Sequence, residues 1–207
     1  MLIERLKLFF SKKFSLVSRF DFWFISKVIK IRCSFLTIFF KIISTLCDWW
    51  VLLIITIVIL LINSDLGVLL AISLIIQILL QKTAKNIATR KRPYIRYREE
   101  VKRLIVPPDR YSFPSGHTAG AFVLFFSVNT FSIEISIPIL VFAILVGFSR
   151  IYLGVHYLTD VITGILLGFI SVEITKLFYQ DIAKLIKQII PYLPHLQLSL
   201  EEYHVFV

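Results

Sequence analysis

Charged residues are scarce in this sequence. Only 17% of its 207 residues are Asp, Glu, Lys or Arg, whereas 57% are hydrophobic, and the mean hydropathy is +0.84. These values exclude an ordinary soluble domain. The two cysteines, Cys33 and Cys47, are too few for a disulfide framework and lack the C-x-x-C spacing of a metal site. Long Pro-, Gly- or Ser-rich linkers and internal repeats are also missing, so a single domain over residues 1–207 is expected.

The sequence contains long runs of apolar residues. A helix needs roughly 20 mostly apolar residues to cross the hydrocarbon core of a bilayer. Lipid also leaves no water to satisfy an open backbone, so the spans must be helical. We therefore expect an all-α, polytopic transmembrane helix bundle with five clear spans, or six if a further span precedes them. The five runs are 49–62 (extendable backwards over 35–46), 66–80, 119–131, 135–148 and 161–178.

The N-terminal segment, residues 1–32, combines bulky apolar residues with eight Lys or Arg. It has no small-residue cleavage site, so it does not resemble a removable signal peptide. An amphipathic segment on an anionic membrane surface fits this composition, with its basic residues near lipid phosphates. The alternative is a solvated basic tail. Residues 190–207 are expected to form a loose or surface-lying terminus.

Positive charge is concentrated on one face of this expected bundle. Of the 23 Lys and Arg residues, nine precede the first span and ten lie between residues 82 and 110. With five spans, the N-terminal segment, the 82–118 connection and the 149–160 turn all fall on the same face. The turns at 63–65 and 132–134, on the opposite face, contain no cation. The positive-inside rule alone would make the basic face cytoplasmic.

The 82–118 connection is the longest polar segment between spans, and connections of this length are usually functional. Its closely spaced prolines, in "VPPDRYSFPSG", exclude a regular helix there. Lys85 and Arg92 are seven residues apart, about two helical turns, so they could share one face if the second span continues that far. The alternative is a basic stop at the membrane surface.

The stretch "PSGH" ends this connection. Gly116 allows the backbone to approach a ligand closely, Ser115 offers a hydroxyl, and the amides at the start of the next span, near Thr118, form a natural anion site. His117 would then stand beside the N-terminus of a helix. The alternative for this stretch alone is an ordinary turn and cap.

A third polar cluster, "SRIYLGVHYLTD", follows the fourth span. His156 and Asp160 are four residues apart, which on a helix would put the carboxylate within hydrogen-bonding reach of the imidazole. Such a carboxylate fixes the tautomer of the ring and raises its basicity. The alternative is a polar pair at the membrane boundary, but ionisable residues at the ends of apolar spans are functional candidates by default.

Together the three clusters suit phosphoryl transfer, which depends on positioning and on neutralising the charge of the phosphoryl oxygens. One histidine could attack phosphorus while the other protonates the departing oxygen. The loops offer no carboxylate cluster for Mg²⁺, since Glu99, Glu100 and Asp109 are scattered among cations. No metal, no other cofactor and no nucleic-acid partner is therefore expected. The proposed cations are Lys85, Arg92 and Arg150.

These clusters resemble the signatures of the type 2 phosphatidic acid phosphatase superfamily, also called lipid phosphate phosphatases. The family patterns are K-x6-RP, PSGH and SR-x5-H-x3-D, and every position is filled here without substitution. The match covers roughly residues 85–160 and the surrounding spans. Related soluble haloperoxidases share the same residues, but a chain this apolar does not fit that branch.

The resemblance implies a role for each matching residue. His156 would be the nucleophile that forms a phosphohistidine, Asp160 its orienting partner, and His117 the general acid for the leaving oxygen. The remaining signature residues would bind the phosphate: Lys85, Arg92, Ser115, Gly116 and Arg150. The resemblance also implies six spans, but the segment where the extra first span would lie contains Arg19, Asp21, Lys27, Lys30 and Arg32.

The expected function is therefore a metal-independent phosphatase acting on a membrane lipid phosphate or diphosphate. The substrate candidates are a polyprenyl diphosphate such as undecaprenyl diphosphate, phosphatidylglycerophosphate, phosphatidic acid and a lipid A phosphate, and the small size of the chain favours the first or a broad specificity. A lipid phosphotransferase using the same site and a non-catalytic binder of anionic lipid are the alternatives. The resemblance implies a bacterial inner membrane protein whose active site faces away from the cytoplasm. The distribution of Lys and Arg, by the positive-inside rule, instead predicts that this face is cytoplasmic. The oligomeric state stays open.

Overall fold

The computed structural model describes residues 17–189, except for the side chains of residues 182 and 186–189. The described part of the chain forms eight helices: α1 (17–30), α2 (Ser34–Thr45), α3 (Trp49–Ile62), α4 (Ser64–Ala88), α5 (Pro93–Arg96), α6 (Gly116–Asn129), α7 (Ile133–Tyr152) and α8 (Leu158–Ile189). Between residues 17 and 189 there is no strand, and only Lys91 and Tyr111 form an isolated antiparallel pairing. The expected all-α class is confirmed. The expected tail at 190–207 and the first half of the N-terminal segment lie outside the described residues.

Three helices are long and apolar enough to cross a membrane: α4, α7 and the part Leu158–Asp181 of α8. The pair α2 and α3 counts as a fourth if it is one span with a bend of 53°. The third expected span, 119–131, lies mostly in α6, which has 14 residues and is therefore about 21 Å long, shorter than a hydrocarbon core of about 30 Å. The chain is an integral membrane protein, with three or four described spans by length and composition.

Helix α6 is the centre of the bundle and packs against α4, α7 and α8. Two glycines on α8 allow the closest of these contacts. A Cβ atom added at Gly164 would lie 2.7 Å from the carbonyl oxygen of Ser115, and one added at Gly168 would lie 2.9 Å from that of Ala119. Small residues four apart let two helix backbones approach closely in a membrane. The backbone of α8 therefore lies directly on the first turns of α6.

The backward extension of the 49–62 run over residues 35–46 forms a separate helix, α2, which is bent by 53° relative to α3. Residues 46–48 interrupt the helix, and Asp48 has an extended backbone (ψ 153°). The Asp48 side chain makes no capping hydrogen bond to α3. Its carboxylate is free of the helix backbone and faces the polar end of the bundle, as described below.

Helix α1 is amphipathic, as expected for the N-terminal segment. One face, at positions three or four residues apart, is buried: Ser18, Asp21, Ile25 and Val28. This face packs on a hydrophobic cluster that includes Val101, Ile151 and Leu153. Phe20 and Trp23 lie on the exposed face. The buried face thus contains a carboxylate among apolar residues, which the sequence pattern did not indicate.

The two ends of the bundle have different connections. At one end, Asn63 links α3 to α4 and residues 130–132 link α6 to α7. At the other end lie the long connection 89–115 and the short turn 153–157, in which Gly154 has a positive φ of 78°. Helix α4 continues to Ala88, so residues 82–88 of the expected 82–118 loop are helical. The three sequence signatures all lie at this second end.

Candidate active site

Lys85 and Arg92 do not share a helix face, because α4 ends at Ala88. The next residue, Thr89, adopts a left-handed conformation (φ 45°), which stops the helix. The chain then runs antiparallel to residues 111–112, with Lys91 paired to Tyr111 and the Ser112 amide donating to the Arg90 carbonyl. This pairing brings Asp109 beside Arg92.

The Asp109 carboxylate bridges the two cations. Its Oδ2 lies 2.5 Å from Lys85 Nζ, and its Oδ1 lies 2.8 Å from Arg92 Nη2. Burial acts to raise the pKa of the Asp109 carboxyl, but the hydrogen bonds and charges of Lys85 and Arg92 outweigh burial and lower this pKa below its usual value. The two cations therefore converge on a single anion, as a phosphate site requires.

Arg92 is almost fully buried and uses all three of its guanidinium nitrogens. Its Nε and Nη2 donate to the backbone oxygen and the carboxylate of Asp109 at 3.0 and 2.8 Å, and its Nη1 donates to the Val155 carbonyl at 2.9 Å. The same Nη1 lies 3.2 Å from Nε2 of His156. Because a guanidinium can only donate, Nε2 carries the ring's lone pair and Nδ1 carries its proton in the neutral imidazole.

His156 and Asp160 are close, but they do not lie on one helix as expected. His156 precedes α8, which begins at Leu158, and its Nδ1 lies 3.5 Å from Asp160 Oδ2 without a hydrogen bond. Burial, followed by the charges of Arg92, Arg150 and Lys85, holds the pKa of the His156 imidazole well below its ordinary value. The ring is therefore neutral and keeps its Nε2 lone pair at neutral pH.

Asp160 is held mainly by other groups. Its Oδ1 accepts from Arg90 Nη1 at 2.6 Å, and its Oδ2 accepts from the Tyr157 amide at 2.9 Å. The Asp160 backbone carbonyl accepts from the Ser115 amide at 3.0 Å. The second and third signatures are thus joined by a direct backbone hydrogen bond.

The PSGH stretch opens α6, with Ser115 at the N-cap position and Gly116 as its first residue. The Ser115 hydroxyl forms a hydrogen bond with the Thr118 hydroxyl at 2.8 Å and does not cap the helix. A Cβ atom at Gly116 would lie 2.3 Å from Gln81 Nε2, so this glycine allows the start of α6 to touch α4. Close packing against α4 therefore explains why residue 116 is a glycine, in addition to any role of this glycine in binding a ligand.

The break between α2 and α3 also contacts the site. Asp48 Oδ1 lies 2.8 Å from Nε2 of His117, and the Cys47 thiol donates to the His117 carbonyl at 3.3 Å. The buried guanidinium of Arg150 donates from Nη1 to the hydroxyl of Ser44. Arg92 contacts His156, the His156 amide donates to the Arg150 carbonyl, and the Ser115 amide donates to the Asp160 carbonyl. Lys85 shares Asp109 with Arg92, so the eight expected site residues lie in one region.

Four charged groups at this site belong to none of the three signatures and were not predicted as site residues: Asp21, Asp48, Arg90 and Asp109. A usable signal existed for two of them. Asp21 and Asp48 are isolated acids in a long apolar and basic stretch, and an isolated carboxylate there needs a partner. Asp109 and Arg90 were hidden among many loop charges. Within residues 17–189, no group of three or more His, Cys, Asp or Glu side chains could hold a metal ion.

The fold and its buried polar end define an all-helical integral membrane protein. A model of the PAP2 superfamily matches residues 66–184, more than half of the chain. The protein therefore belongs to the PAP2 superfamily, and the resemblance drawn from the three signatures is confirmed.

Two solved membrane phosphatase structures are similar to most of this chain. The crystal structure of Aquifex aeolicus LpxE has a TM-score of 0.69 and 28% identity, covering 74% of this chain and 93% of that one. The crystal structure of a PAP2 type phosphatidylglycerolphosphate phosphatase from Bacillus subtilis has a TM-score of 0.67 and 27% identity, covering 87% of this chain and 96% of that one.

A curated relative, the undecaprenyl-diphosphatase of Sulfolobus acidocaldarius, is 35% identical over 120 residues, which cover 54% of this chain and 56% of the relative. The chain thus spans about half the length of the curated relatives it matches.

Proposed function

We propose that the protein is a metal-independent phosphatase that hydrolyses the phosphomonoester or diphosphate of a membrane lipid through a phosphohistidine on His156. One observation carries this proposal: Nε2 of His156, the ring atom with the lone pair, lies 3.2 Å from a guanidinium that also binds an anion. A phosphoryl group bound by Lys85 and Arg92 would therefore lie next to the nucleophilic atom.

In the proposed reaction, the Nε2 lone pair of His156 forms a bond to phosphorus while the bond from phosphorus to the leaving oxygen breaks. His117 gives a proton to that oxygen, and Asp48, 2.8 Å from the His117 ring, stabilises its protonated form. A water molecule then forms a bond to phosphorus and gives a proton to His117 while the bond from phosphorus to Nε2 breaks. Inorganic phosphate is released, and both histidines return to their starting states. Lys85, Arg92 and Arg150 neutralise the phosphoryl oxygens, with the hydroxyl of Ser115 and the backbone at Gly116 beside them.

The substrate is one of the lipid phosphates that appear in the names of the relatives, such as undecaprenyl diphosphate and phosphatidylglycerophosphate. The site lies at one end of an apolar bundle, so a headgroup could enter while the lipid tails stay in the bilayer. The most direct test is phosphate release from a panel of undecaprenyl diphosphate, phosphatidylglycerophosphate, phosphatidic acid and lipid A by the purified protein. Release from none of them, with or without an alcohol acceptor, would contradict the proposal.

Two inhibitors test the mechanism. Activity is expected to persist in excess chelator, because guanidinium and ammonium groups supply the positive charge. Vanadate is expected to inhibit competitively, because it mimics the pentacoordinate phosphorus between Lys85, Arg92 and His156. Dependence on added Mg²⁺, or complete insensitivity to vanadate, would refute this mechanism.

We further propose that the active site faces away from the cytoplasm of a bacterial inner membrane. The cations at this end would then be present to bind the substrate, so their number would not reflect the orientation that the positive-inside rule predicts. Cys33 and Cys47 would be replaced, and Glu99→Cys at the site end would be compared with Glu134→Cys at the opposite end; both native side chains are exposed. In intact cells, an impermeant thiol reagent is expected to label Glu99→Cys alone. Labelling of Glu134→Cys alone would reverse the orientation.

A further inference from the structure

Arg90 lies two residues before the signature arginine and links three side chains around the base of α8. Its Nη1 donates to Asp160 Oδ1 at 2.6 Å and to the Thr159 hydroxyl at 2.8 Å, and its Nη2 donates to Asp21 Oδ2 at 2.5 Å. Its guanidinium carbon also lies 4.0 Å from the centre of the Tyr157 ring. Arg90 is thus in direct contact with the carboxylate assigned to orient His156.

Asp21 comes from α1, outside every signature of the family. It is fully buried, and besides Arg90 it accepts from the Thr159 amide at 3.1 Å and from the Thr159 hydroxyl at 2.7 Å. Asp21 therefore has two contacts that can be separated: it caps the first turn of α8, and it pairs with a guanidinium.

The charges of this cluster add up to a net negative charge beside His156. Asp21 and Asp160 are two carboxylates against the single guanidinium of Arg90. Without Asp21, the Arg90 charge would cancel that of Asp160. Among the described residues, the charges that act most strongly on His156 are those of Arg92 in the loop after α4, Arg150 on α7 and Lys85 on α4, with His117 on α6 beside them. The Asp109 carboxylate is engaged by Lys85 and Arg92.

A negative charge behind His156 has a chemical use. When Nε2 forms its bond to phosphorus, the ring keeps the proton on Nδ1 and becomes positively charged. Asp160 Oδ2, 3.5 Å from Nδ1, is the nearest carboxylate to that proton. It can stabilise the charged ring only if its own charge is not cancelled by Arg90.

We propose that Asp21 of α1 is a positioning residue of the active site, whose carboxylate neutralises Arg90 so that Asp160 keeps its negative charge towards His156. This inference rests on the proposed function, because it takes His156 as the nucleophile. It gives α1 a part in the chemistry, since this helix supplies the carboxylate that sets the charge behind the nucleophile.

Asp21→Asn separates the two contacts of this residue. The amide oxygen of Asn can still cap the Thr159 amide, whereas the charge is lost. We expect kcat to fall at least tenfold with KM changed less than about threefold, because the phosphohistidine step loses stabilisation while the phosphate-binding cations are untouched. The acid limb of the pH profile of kcat/KM is expected to move to lower pH, because the uncompensated Arg90 makes His156 harder to protonate.

Two further variants separate charge from structure. Thr159→Ala removes a contact of Asp21 without changing any charge, and it is expected to leave the acid limb in place. The double variant Asp21→Asn/Arg90→Gln removes both charges and leaves Asp160 negative, so it is expected to be more active than Asp21→Asn and to return the acid limb towards its original pH. If Asp21→Asn does not purify as a folded protein, the double variant decides: kcat within about tenfold of the original supports the proposal, and a larger loss overturns it.

An acid limb and kcat unchanged in Asp21→Asn, or a double variant no better than the single one, would overturn this inference. Its failure is distinct from failure of the proposed function. A protein that releases no phosphate, or that keeps full activity as His156→Ala, refutes the proposed function itself. An active protein that needs His156 but tolerates Asp21→Asn refutes the role of Asp21 alone.

Discussion

The two ends of the helix bundle satisfy their polar groups in different ways. At the far end, Asn63 caps α4 through the Leu66 amide and Ser132 caps α7 through the Ile135 amide, both in short exposed turns. Six charged side chains are buried at the site end: Lys85, Arg90, Arg92, Arg150, Asp21 and Asp160. Arg90 pairs with Asp21 and Asp160, Lys85 and Arg92 pair with the more exposed Asp109, and Arg150 donates to the hydroxyl of Ser44. Buried charges cost several kcal/mol each in desolvation, so such an arrangement is weak evidence of stabilisation.

This difference between exposed caps and buried charges indicates that the residues of the site end serve a reaction and those of the far end serve stability. Caps at the far end are worth about 1 kcal/mol each and can be exchanged for other polar residues. The buried ions at the site end would be replaced by apolar side chains if only stability mattered. Substitutions at the two ends should therefore separate activity from stability, and the following predictions test this separation in order of decreasing effect.

The largest effect is expected for His156→Ala. Removing the nucleophile should lower kcat for phosphate release by about a thousandfold or more, because water must then attack the lipid phosphate directly. Thermal unfolding in detergent and the elution volume would establish that the variant is folded. Activity within tenfold of the original protein would exclude the phosphohistidine mechanism.

Arg92→Lys is expected to lower kcat/KM by about a hundredfold although it preserves the charge. The guanidinium contacts four acceptor atoms through three nitrogens, and a single ammonium cannot reproduce this geometry. Lys91→Ala is the matched control, because this neighbouring cation is exposed. If only the overall charge of the loop mattered, Arg92→Lys would keep its activity and Lys91→Ala would lose it, and that result would contradict this prediction.

Asp48→Asn tests the pairing of Asp48 with His117. If this carboxylate supports the general acid, kcat should fall by about tenfold for a poor leaving group such as an alkyl phosphate and much less for p-nitrophenyl phosphate. The comparison is made in one protein preparation, so partial unfolding would affect both substrates equally. An equal loss with both substrates would contradict a role in protonating the leaving oxygen.

Asp109→Asn is expected to strengthen anion binding. The ionised carboxylate occupies both Lys85 and Arg92, so an incoming phosphate must displace it and also overcome its repulsion. The inhibition constant of vanadate should therefore fall by several-fold to about tenfold, whereas the exposed control Glu100→Gln should leave it unchanged. A weaker inhibition would show that Asp109 serves mainly to hold Arg92 in place.

The smallest effect on activity is expected at the far end. Asn63→Ala removes the acceptor of the Leu66 amide and should lower the free energy of unfolding by about 1 kcal/mol. The kcat and KM of the folded protein should stay within about twofold. A large change in kcat would mean that the two ends are coupled through α4, contrary to the separation described above.

The site residues could be predicted largely because their signatures are local. Pro114–His117 form one helix start, and Arg150, His156 and Asp160 lie around one turn, so short spacings constrain their geometry. The all-helical class followed from apolar composition. These properties depend on neighbouring residues in the chain, which a single sequence displays.

The remaining errors concern contacts between distant segments. The end of α4 depends on a left-handed Thr89, a conformation that threonine adopts only when tertiary contacts compensate. Asp21 meets Arg90 across 69 residues of sequence, as Asp48 meets His117. The periodicity of apolar residues along the sequence does not indicate such long-range pairs. Helix α6 runs from the site end to the far end with only 14 residues, and its apolar character reflects the helices that surround it.

The contact of Gly164 with the Ser115 carbonyl has a consequence for how the protein can vary. Because α8 touches the backbone of the PSGH stretch without an intervening side chain, the separation of His117, on α6, from His156, two residues before the start of α8, depends on the direct contact of these helices. A single methyl group, added as Gly164→Ala, would push these helices apart at the point where the two histidines must act on one phosphorus atom. A glycine on α8 thereby limits how far apart the two histidines lie, and its mutation would impair catalysis without changing a charged side chain.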